Sequence, residues 1–475
     1  MSVKVSKSDV VWGYVSQFFN LASGMIVLPL VLHMLSTEEI ALNYLMMTIA
    51  TMVALMDFGF SPQFGRNVTY VFSGVQKLEK EGVEITQKGK LNYHLLYSLI
   101  RVARKVYLYL GLIVLAVMLT LGTVYIYYAT DGFSTVDNAL LVWILFSLST
   151  ALNIYFLYYS SLLTGRGLVK ESKKALMASK VFYIVLSYIL LLSGMGLLGL
   201  TLANLIAPFI SRFLSYRYFF DEELKSNLSG QTTSKKEIKE LFHVIAYNAK
   251  KLGINFIGAY AILKFSLFIA GLYLTPSDIA SYGLMIQLVT IIGSISSTFF
   301  QVFNPQITSY HVTGNLKKEF HTFALSMSVF YLLFLLGTVL LVFFGQPLLK
   351  FIGSNALLPS RLILVLYCLI ILLEYNHSHF ATYITFANEI PFVKSSIITG
   401  VIVCLCDFLV LQYTSLGLLG VVLVQGVAQL AYNNWRWPLY VFRKTKTNVF
   451  SFMKACLFES ISHIKSLSQF PKSAA

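Results

Sequence analysis

About twelve long apolar runs, separated by short polar segments, constrain this chain more than any motif within it. In helical form roughly 20 apolar residues span a ~30 Å hydrocarbon core. The runs cover approximately residues 10 to 34, 40 to 65, 106 to 128, 139 to 163, 176 to 194, 197 to 219, 251 to 274, 279 to 305, 323 to 345, 361 to 386, 396 to 413 and 416 to 441. Composition agrees: 57% of the 475 residues are hydrophobic and 12% are charged, where a soluble domain carries about 25% charged residues. The expected fold is all-α, a polytopic membrane protein of about 12 transmembrane helices. The runs on either side of "SGMGLLG", and those flanking "YTSLG", are joined by so little chain that each pair reads as a tight hairpin.

Charge gives the expected orientation. With the N-terminus inside, 33 of the 36 Lys and Arg fall on inner segments; only Lys350 and Arg361 lie outside, and Lys264 is left within a run. Such a bias marks the cytoplasmic side, so both termini are expected there. The net charge of +15 therefore needs no nucleic acid. It is a topology signal and an attraction to anionic membrane lipids. Lys4 and Lys7 precede an apolar run as in a signal peptide, but the run is too long and lacks a small-residue cleavage site, so it is expected to remain as the first helix. Cys368, Cys404 and Cys406 lie in apolar runs and Cys456 in the tail, a pattern that offers neither an extracellular disulfide nor a zinc framework.

The chain also repeats itself. "LSTEEIALNYLM" from Leu35 aligns without a gap on "LTPSDIASYGLM" from Leu274, and "FSPQ" at Phe60 matches "FNPQ" at Phe303 after a slip of four residues. A duplicated six-helix unit keeps its orientation, which places a substrate path between two pseudo-symmetric lobes around a central cavity. The expected domains are a lobe over 1–220, a cytoplasmic linker over 221–250, a second lobe over 251–445 and a tail over 446–475 that forms an amphipathic helix. Pro62 and Pro305 have no N–H to give the carbonyls of Phe58 and Gln301, so both are expected to act as hinges in the second helix of their lobe.

With these residues in view, the chain resembles the polysaccharide transporter family, the O-antigen type flippases. Their superfamily also holds multidrug and toxin extruders and lipid II flippases. The resemblance is carried by "DFGF" at Asp57 to Phe60, by Arg66 closing the second helix, by the basic loop from Lys77 to Lys105, and by the two-half plan extending to about residue 445. It implies translocation of a lipid-linked oligosaccharide, usually on undecaprenyl diphosphate, from the inner to the outer leaflet of the bacterial cytoplasmic membrane. A polysaccharide polymerase or chain-length machinery is the implied protein partner.

Such a substrate needs a wet cavity for its sugars and cations for its diphosphate. Gln17, Asn20, Asn153 and Asn204 supply polar side chains within the runs, and Gln425, Gln429, Tyr432, Asn433 and Arg436 fall on one helical stripe. Lys264, Glu374 and Asp407 come out near the bilayer middle. A charge there costs at least ~2.5 kcal/mol, so it faces a cavity or a partner. His377 stands three residues after Glu374 and shares its face. An E-x-x-H pair alone is only half of a metal site in helix bundles, and no metal site is expected here. Asp57 sits nearer the inner side, and Arg66 is expected to reach the headgroups, anchoring topology or capturing phosphate. Pairing of Lys264 with Glu374 or Asp407 suggests coupling: an anionic head group displaces a carboxylate, which then takes up a proton or sodium ion. No other cofactor is implied.

An enzyme fits poorly, since there is no sizeable soluble domain and no phosphate-cradling G-x-x-x-x-G-K-S loop. The competing reading is a cation-coupled multidrug extruder of the same fold, because mid-membrane carboxylates suit an organic cation as well as they suit coupling. The tail "VFSFMKACLFESISHIKSL" places Val449, Met453, Cys456, Ile461 and Ile464 along one helical face, suited to the inner membrane surface or to a partner. Reporter fusions test the topology. A fusion at Ala475 is expected to report the cytoplasm and one at Ala129 the opposite side; an extracytoplasmic C-terminus overturns the assignment.

Overall fold

The computed structural model describes residues 4–83, 90–134, 136–260, 262, 265–270, 273–274, 276–351 and 357–457. The described chain is helical, without strands, and divides into two compact units. Unit 1 is Met1–Lys80 with Glu84–Gly253, and unit 2 is Glu81–Val83 with Ile254–Ala475.

Unit 1 contains α1 (Lys7–Met34), α2 (Thr37–Ala54), α3 (Phe60–Phe72), α4 (Tyr93–Val117), α5 (Thr123–Ala129), α6 (Ala139–Tyr155), α7 (Tyr158–Arg166), α8 (Val169–Leu192), α9 (Gly196–Phe219), α10 (Glu222–Ser229) and most of α11 (Lys235–Tyr260). Unit 2 contains the end of α11, then α12 (Ser266–Ala270), α13 (Pro276–Val312), α14 (Leu316–Phe351), α15 (Arg361–Thr385), α16 (Val393–Tyr413), α17 (Gly417–Leu430) and α18 (Asn433–Lys444). Among the described residues nine helical stretches are long and apolar enough to cross a membrane. Of the runs outside these nine, the first is the single helix α1, while the seventh carries α11 and α12 and the twelfth α17 and α18; α2 and α3 also divide a run, although α2 counts among the nine. An architecture of about twelve spans accounts for all of these elements. The two expected hairpins are present, with Gly194 at φ 81° between α8 and α9, and Gly417 at φ 52° opening α17.

Local chemistry explains where helices start. Ser6 and Asp9 form a capping box at α1, and Ser36 and Glu39 form one at α2; each satisfies amides that a helix start leaves open. Helix α13 begins at Pro276, the position that aligns with Thr37 at the start of α2. The stretch expected as a linker is largely helical: α10 is capped by Asp221, and α11 opens on Ser234, whose Oγ accepts from the amide of Glu237 at 3.1 Å. The unit boundary at Gly253 falls inside α11.

The two hinge prolines sit differently. Helix α2 ends in a tight turn over Leu55–Asp57; Phe58 (φ 49°) and Gly59 (φ 75°) are left-handed, and α3 restarts at Phe60. Pro62 is thus the third residue of a new helix, where an amide has no intrahelical duty, and the break precedes it. Pro305 lies inside continuous α13. The acceptor that joins the broken ends is Asp57, which receives the Ser61 amide at 3.1 Å and the Tyr107 hydroxyl at 2.7 Å.

Small residues allow α3 to press against α7. A Cβ on Gly165 would lie 2.4 Å from the carbonyl oxygen of Gly65, and Thr69 Oγ1 donates to the Gly165 carbonyl at 2.9 Å. Small-residue contacts with interhelical hydrogen bonds suit lipid, where apolar burial gives little drive. The tail is helical over 449–457, with Phe452 buried against Phe323, Phe380 and Phe442. Ile461 and Ile464 lie outside the described residues.

Gly59 must be left-handed, and a Cβ there would meet Leu252 Cβ at 2.5 Å. Gly59→Ala is therefore expected to cost about 1–2 kcal/mol for the backbone and a further ~1–3 kcal/mol for overpacking. Thermal unfolding of the purified chain in detergent measures this, and an unchanged midpoint refutes the account.

Candidate functional site

Unit 1 encloses a cavity of about 510 Å³ walled by α1, α2, α6, α8 and α9. Its polar lining is made of amides, hydroxyls and a cation: Asn43, Asn153, Lys180, Tyr183, Asn204 and Ser211. Among the described residues no carboxylate lines it. At its edge the Arg212 guanidinium donates through Nη2 to Asn153 Oδ1 at 2.7 Å and stacks 4.4 Å from the Phe156 ring centroid. Arg212 Nη1 has no hydrogen-bond partner among the described residues. Pro208 is also part of the wall, and the carbonyl it frees, that of Asn204, accepts from Ser149 Oγ at 3.0 Å. The cavity can thus offer donors and positive charge to a ligand while its own backbone is satisfied.

Asn153 and Asn204 were legible as polar positions, whereas Lys180, Arg212 and Tyr183 were not singled out. Lys180 and Arg212 were absorbed in the count of inward charges, though both fall inside the apolar runs 176–194 and 197–219. A cation inside a run, the signal that marked Lys264, marks them as well. Gln17 is half-buried on α1, and the side chain of Asn20 lies outside the described residues.

Arg66 is not an exposed headgroup anchor. It is buried on α3, donating to Gln63 Oε1, and its Nε has no partner among the described residues. The reason is the restart at Phe60, which turns Gln63, Arg66, Asn67 and Tyr70 onto the packed face of the helix. Asp57 is engaged by Ser61 and Tyr107 within the break described above.

Unit 2 contains a different kind of polar cluster. Glu374 on α15 accepts from Gln429 Nε2 at 2.6 Å, and His377 Nε2 stands 3.7 Å from its other oxygen. Asn433 donates to Gln429 Oε1 at 2.8 Å and to Thr399 at 3.0 Å, while Trp437 Nε1 donates to Asn433 Oδ1 at 3.1 Å. His377 Nδ1 lies 2.8 Å from Asn434 Oδ1. The network ties α15, α16, α17 and α18 together through a carboxylate. His379, on the other side of α15, pairs with Ser297 at 3.1 Å.

The polar stripe is broken. Helix α17 ends at Leu430, so Tyr432 is 40% exposed while Gln425, Gln429 and Asn433 are buried. Arg436 is half-buried, with no partner for Nε among the described residues. Gln425 Nε2 is likewise without a partner among them.

Asp407 on α16 is fully buried, and neither carboxylate oxygen has a hydrogen-bond partner among the described residues. Its neighbourhood holds Ser266 of α12 and Tyr282 of α13. Tyr282 stands 6.3 Å, ring to ring, from Tyr367, which in turn neighbours Glu374. A pair of tyrosines thus links the neighbourhoods of Asp407 and Glu374. Lys264, expected as their shared partner, lies outside the described residues. No group of three or more potential metal ligands occurs among the described residues.

Comparison with known proteins bears on the fold. No family model and no curated protein matches the chain. Solved structures do. A point mutant of MATE superposes with a TM-score of 0.70 at 13% identity, covering 94% of this chain and 100% of that one. An outward-facing multidrug resistance MATE transporter of the MOP superfamily gives 0.65 at 13% identity, covering 93% and 99%. A MOP superfamily transporter from Pyrococcus furiosus, described as having a binding pocket of reverse polarity that suggests a different function, gives 0.64 at 13% identity, covering 94% and 100%. The chain has the fold of MATE transporters of the MOP superfamily along nearly its whole length.

The unit 2 network yields a stability test. Gln429→Leu strips a donor from Glu374 and an acceptor from Asn433, and is expected to cost ~1–3 kcal/mol. Glu374→Met added to it is expected to recover part of the loss, because an unpaired buried polar group costs more than an absent pair. Thermal midpoints of both variants decide; a double mutant less stable than the single argues against the network.

Proposed function

We propose that this chain is a secondary transporter of the bacterial cytoplasmic membrane that flips an anionic, sugar-bearing lipid from the inner to the outer leaflet by alternating access. The substrate class is an oligosaccharide on a polyprenyl diphosphate, such as a repeat unit of O-antigen or another surface polysaccharide. The observation that carries this reading is the charge of the unit 1 cavity, where Lys180 and the adjoining Arg212 face amides and hydroxyls with no carboxylate among the described lining residues. An organic cation would meet repulsion there; a phosphate would find an ammonium in the lining and, beside it, a guanidinium whose buried Nη1 has no partner among the described residues. Amide and hydroxyl groups suit the many hydroxyls of a sugar. No catalytic step is assigned.

A different observation favours a second reading. The fold is shared with multidrug MATE transporters, and buried Glu374 and Asp407 in unit 2 suit a cation, so a cation-coupled multidrug extruder is the alternative. In the flippase reading the same carboxylates serve coupling to a proton or sodium gradient. Lys264 remains a coupling candidate from its place in the sequence.

Arg212→Ala separates the two readings. A charged hydrogen bond is worth ~1.5–3 kcal/mol, so flipping at subsaturating substrate is expected to fall roughly tenfold to a hundredfold, with Arg212→Lys retaining part of it. The measurement is accumulation of lipid-linked repeat units by mass spectrometry in a strain carrying only the variant. Normal glycolipid pools with altered drug sensitivity would sink the flippase reading.

A further inference from the structure

A second concavity of unit 1 lies apart from the cavity described above. It is a groove of about 530 Å³ between α4 and the first turns of α11. Its floor is apolar, formed by Val102 and Val106, which are buried, and by Phe60 stacked 6.5 Å from Phe242. Its rim carries three exposed ammonium groups, Lys105, Lys235 and Lys239. None of the three has an ion-pair partner among the described residues. Their charged neighbours are spoken for: Arg101 donates to Tyr97 at 2.7 Å, Arg104 lies among Tyr155, Tyr158 and Tyr159, and Glu237 caps α11 through Ser234. Because Glu237 occupies the end of the helix, an anion at the rim is left to the lysines rather than to free amides.

The surroundings decide what fills the groove. Tyr109 lines it, and Leu112 and Ile113, three and four residues on, share that face of α4 and are exposed. This face belongs to the membrane-crossing stretch Tyr93–Tyr128, so the groove is continuous with surface that meets acyl chains. The three ammonium groups stand where α11 begins beside the first half of α4, with Ser98 Oγ donating to Thr233 Oγ1 at 3.0 Å. An apolar trough open to lipid, topped by cations at the basic end of the helix, matches an acyl chain below a negative head group.

We propose that this groove is a resident site for one anionic phospholipid of the surrounding bilayer. It rests on the membrane placement of α4 and is independent of which substrate the transporter moves. The lipid ties α4 to α11, the helix in which the unit boundary falls.

The test uses the full chain purified in mixed micelles with equal phosphatidylglycerol and phosphatidylcholine, with co-purified lipid counted by native mass spectrometry. Wild type is expected to retain phosphatidylglycerol preferentially. The K105Q/K235Q/K239Q variant is expected to lose roughly tenfold or more of that preference, since each lysine near an anionic surface contributes about 1 kcal/mol. A control, K317Q/K318Q/K394Q, removes equal charge elsewhere and is expected to retain it. Ile238→Trp fills the groove without changing charge and is expected to release the lipid, with thermal midpoints in phosphatidylcholine confirming that the variants fold. Equal loss in the control, or retention by both groove variants, overturns the proposal. Displacement of the lipid by millimolar inorganic diphosphate also overturns it, because the anion alone would then be the ligand.

Discussion

A backbone carbonyl or amide left unpaired in hydrocarbon costs several kcal/mol, and the α2–α3 break, the Pro208 site and the α3–α7 contact of unit 1 are each arranged around that cost. Where α2 gives way to α3, Asp57 takes the Ser61 amide. Where Pro208 denies α9 an amide, Ser149 reaches across from α6 to the stranded Asn204 carbonyl. Where α3 and α7 touch, Thr69 donates to the Gly165 carbonyl. Each repair needs a polar side chain at a fixed depth, so polarity inside the apolar runs is first a structural requirement. Function can draw on what remains: Asn153, Asn204 and Ser211 line a cavity whose wall contains the proline that made the repair necessary.

The same low dielectric sorts charges. In unit 2 a carboxylate is stable because Gln429 and His377 surround it, and the hydrogen bonds run on through Asn433 to Trp437. In unit 1 the cations near the cavity are only partly engaged, with Arg212 spending one nitrogen on Asn153 and leaving another open. A partly satisfied buried cation is costly unless something else supplies the counter-charge. Asp407 presents the opposite case, a buried carboxylate that, with the Ser266 hydroxyl in its neighbourhood, makes no hydrogen bond among the described residues. The described residues thus sort the charges, with partly engaged cations beside the unit 1 cavity and buried carboxylates in unit 2.

The fold was legible because it rests on length and periodicity. Nine of the runs are candidate spans among the described residues and about twelve fit the fold, the glycine hairpins turn where expected, and the repeat starts α2 and α13 at aligned residues. The site was less legible because it depends on helix phase, which any break resets. Gln425 through Arg436 reads as one stripe only if the helix is continuous; the end of α17 at Leu430 sends Tyr432 outward. The restart at Phe60 likewise buries Arg66. Lys180 and Arg212 were hidden for another reason, since counting charges for orientation treats every Lys and Arg alike whether it stands in a loop or inside a run.

The same reset explains "DFGF" without appeal to substrate. Asp57 caps the new helix, Phe58 and Gly59 make the left-handed step, and Gly59 is small because Leu252 lies against it. Gly253 is small in turn because a Cβ there would meet Phe58. Each of these residue choices follows from a helix broken in lipid beside a close neighbour. A resemblance resting on this motif therefore reports how the second helix is built, as does a shared fold at 13% identity. What is carried has to be reasoned from the cavity, and there the decisive features are a lysine and a row of amides in the lining, an arginine at its edge, and no acid among the described lining residues.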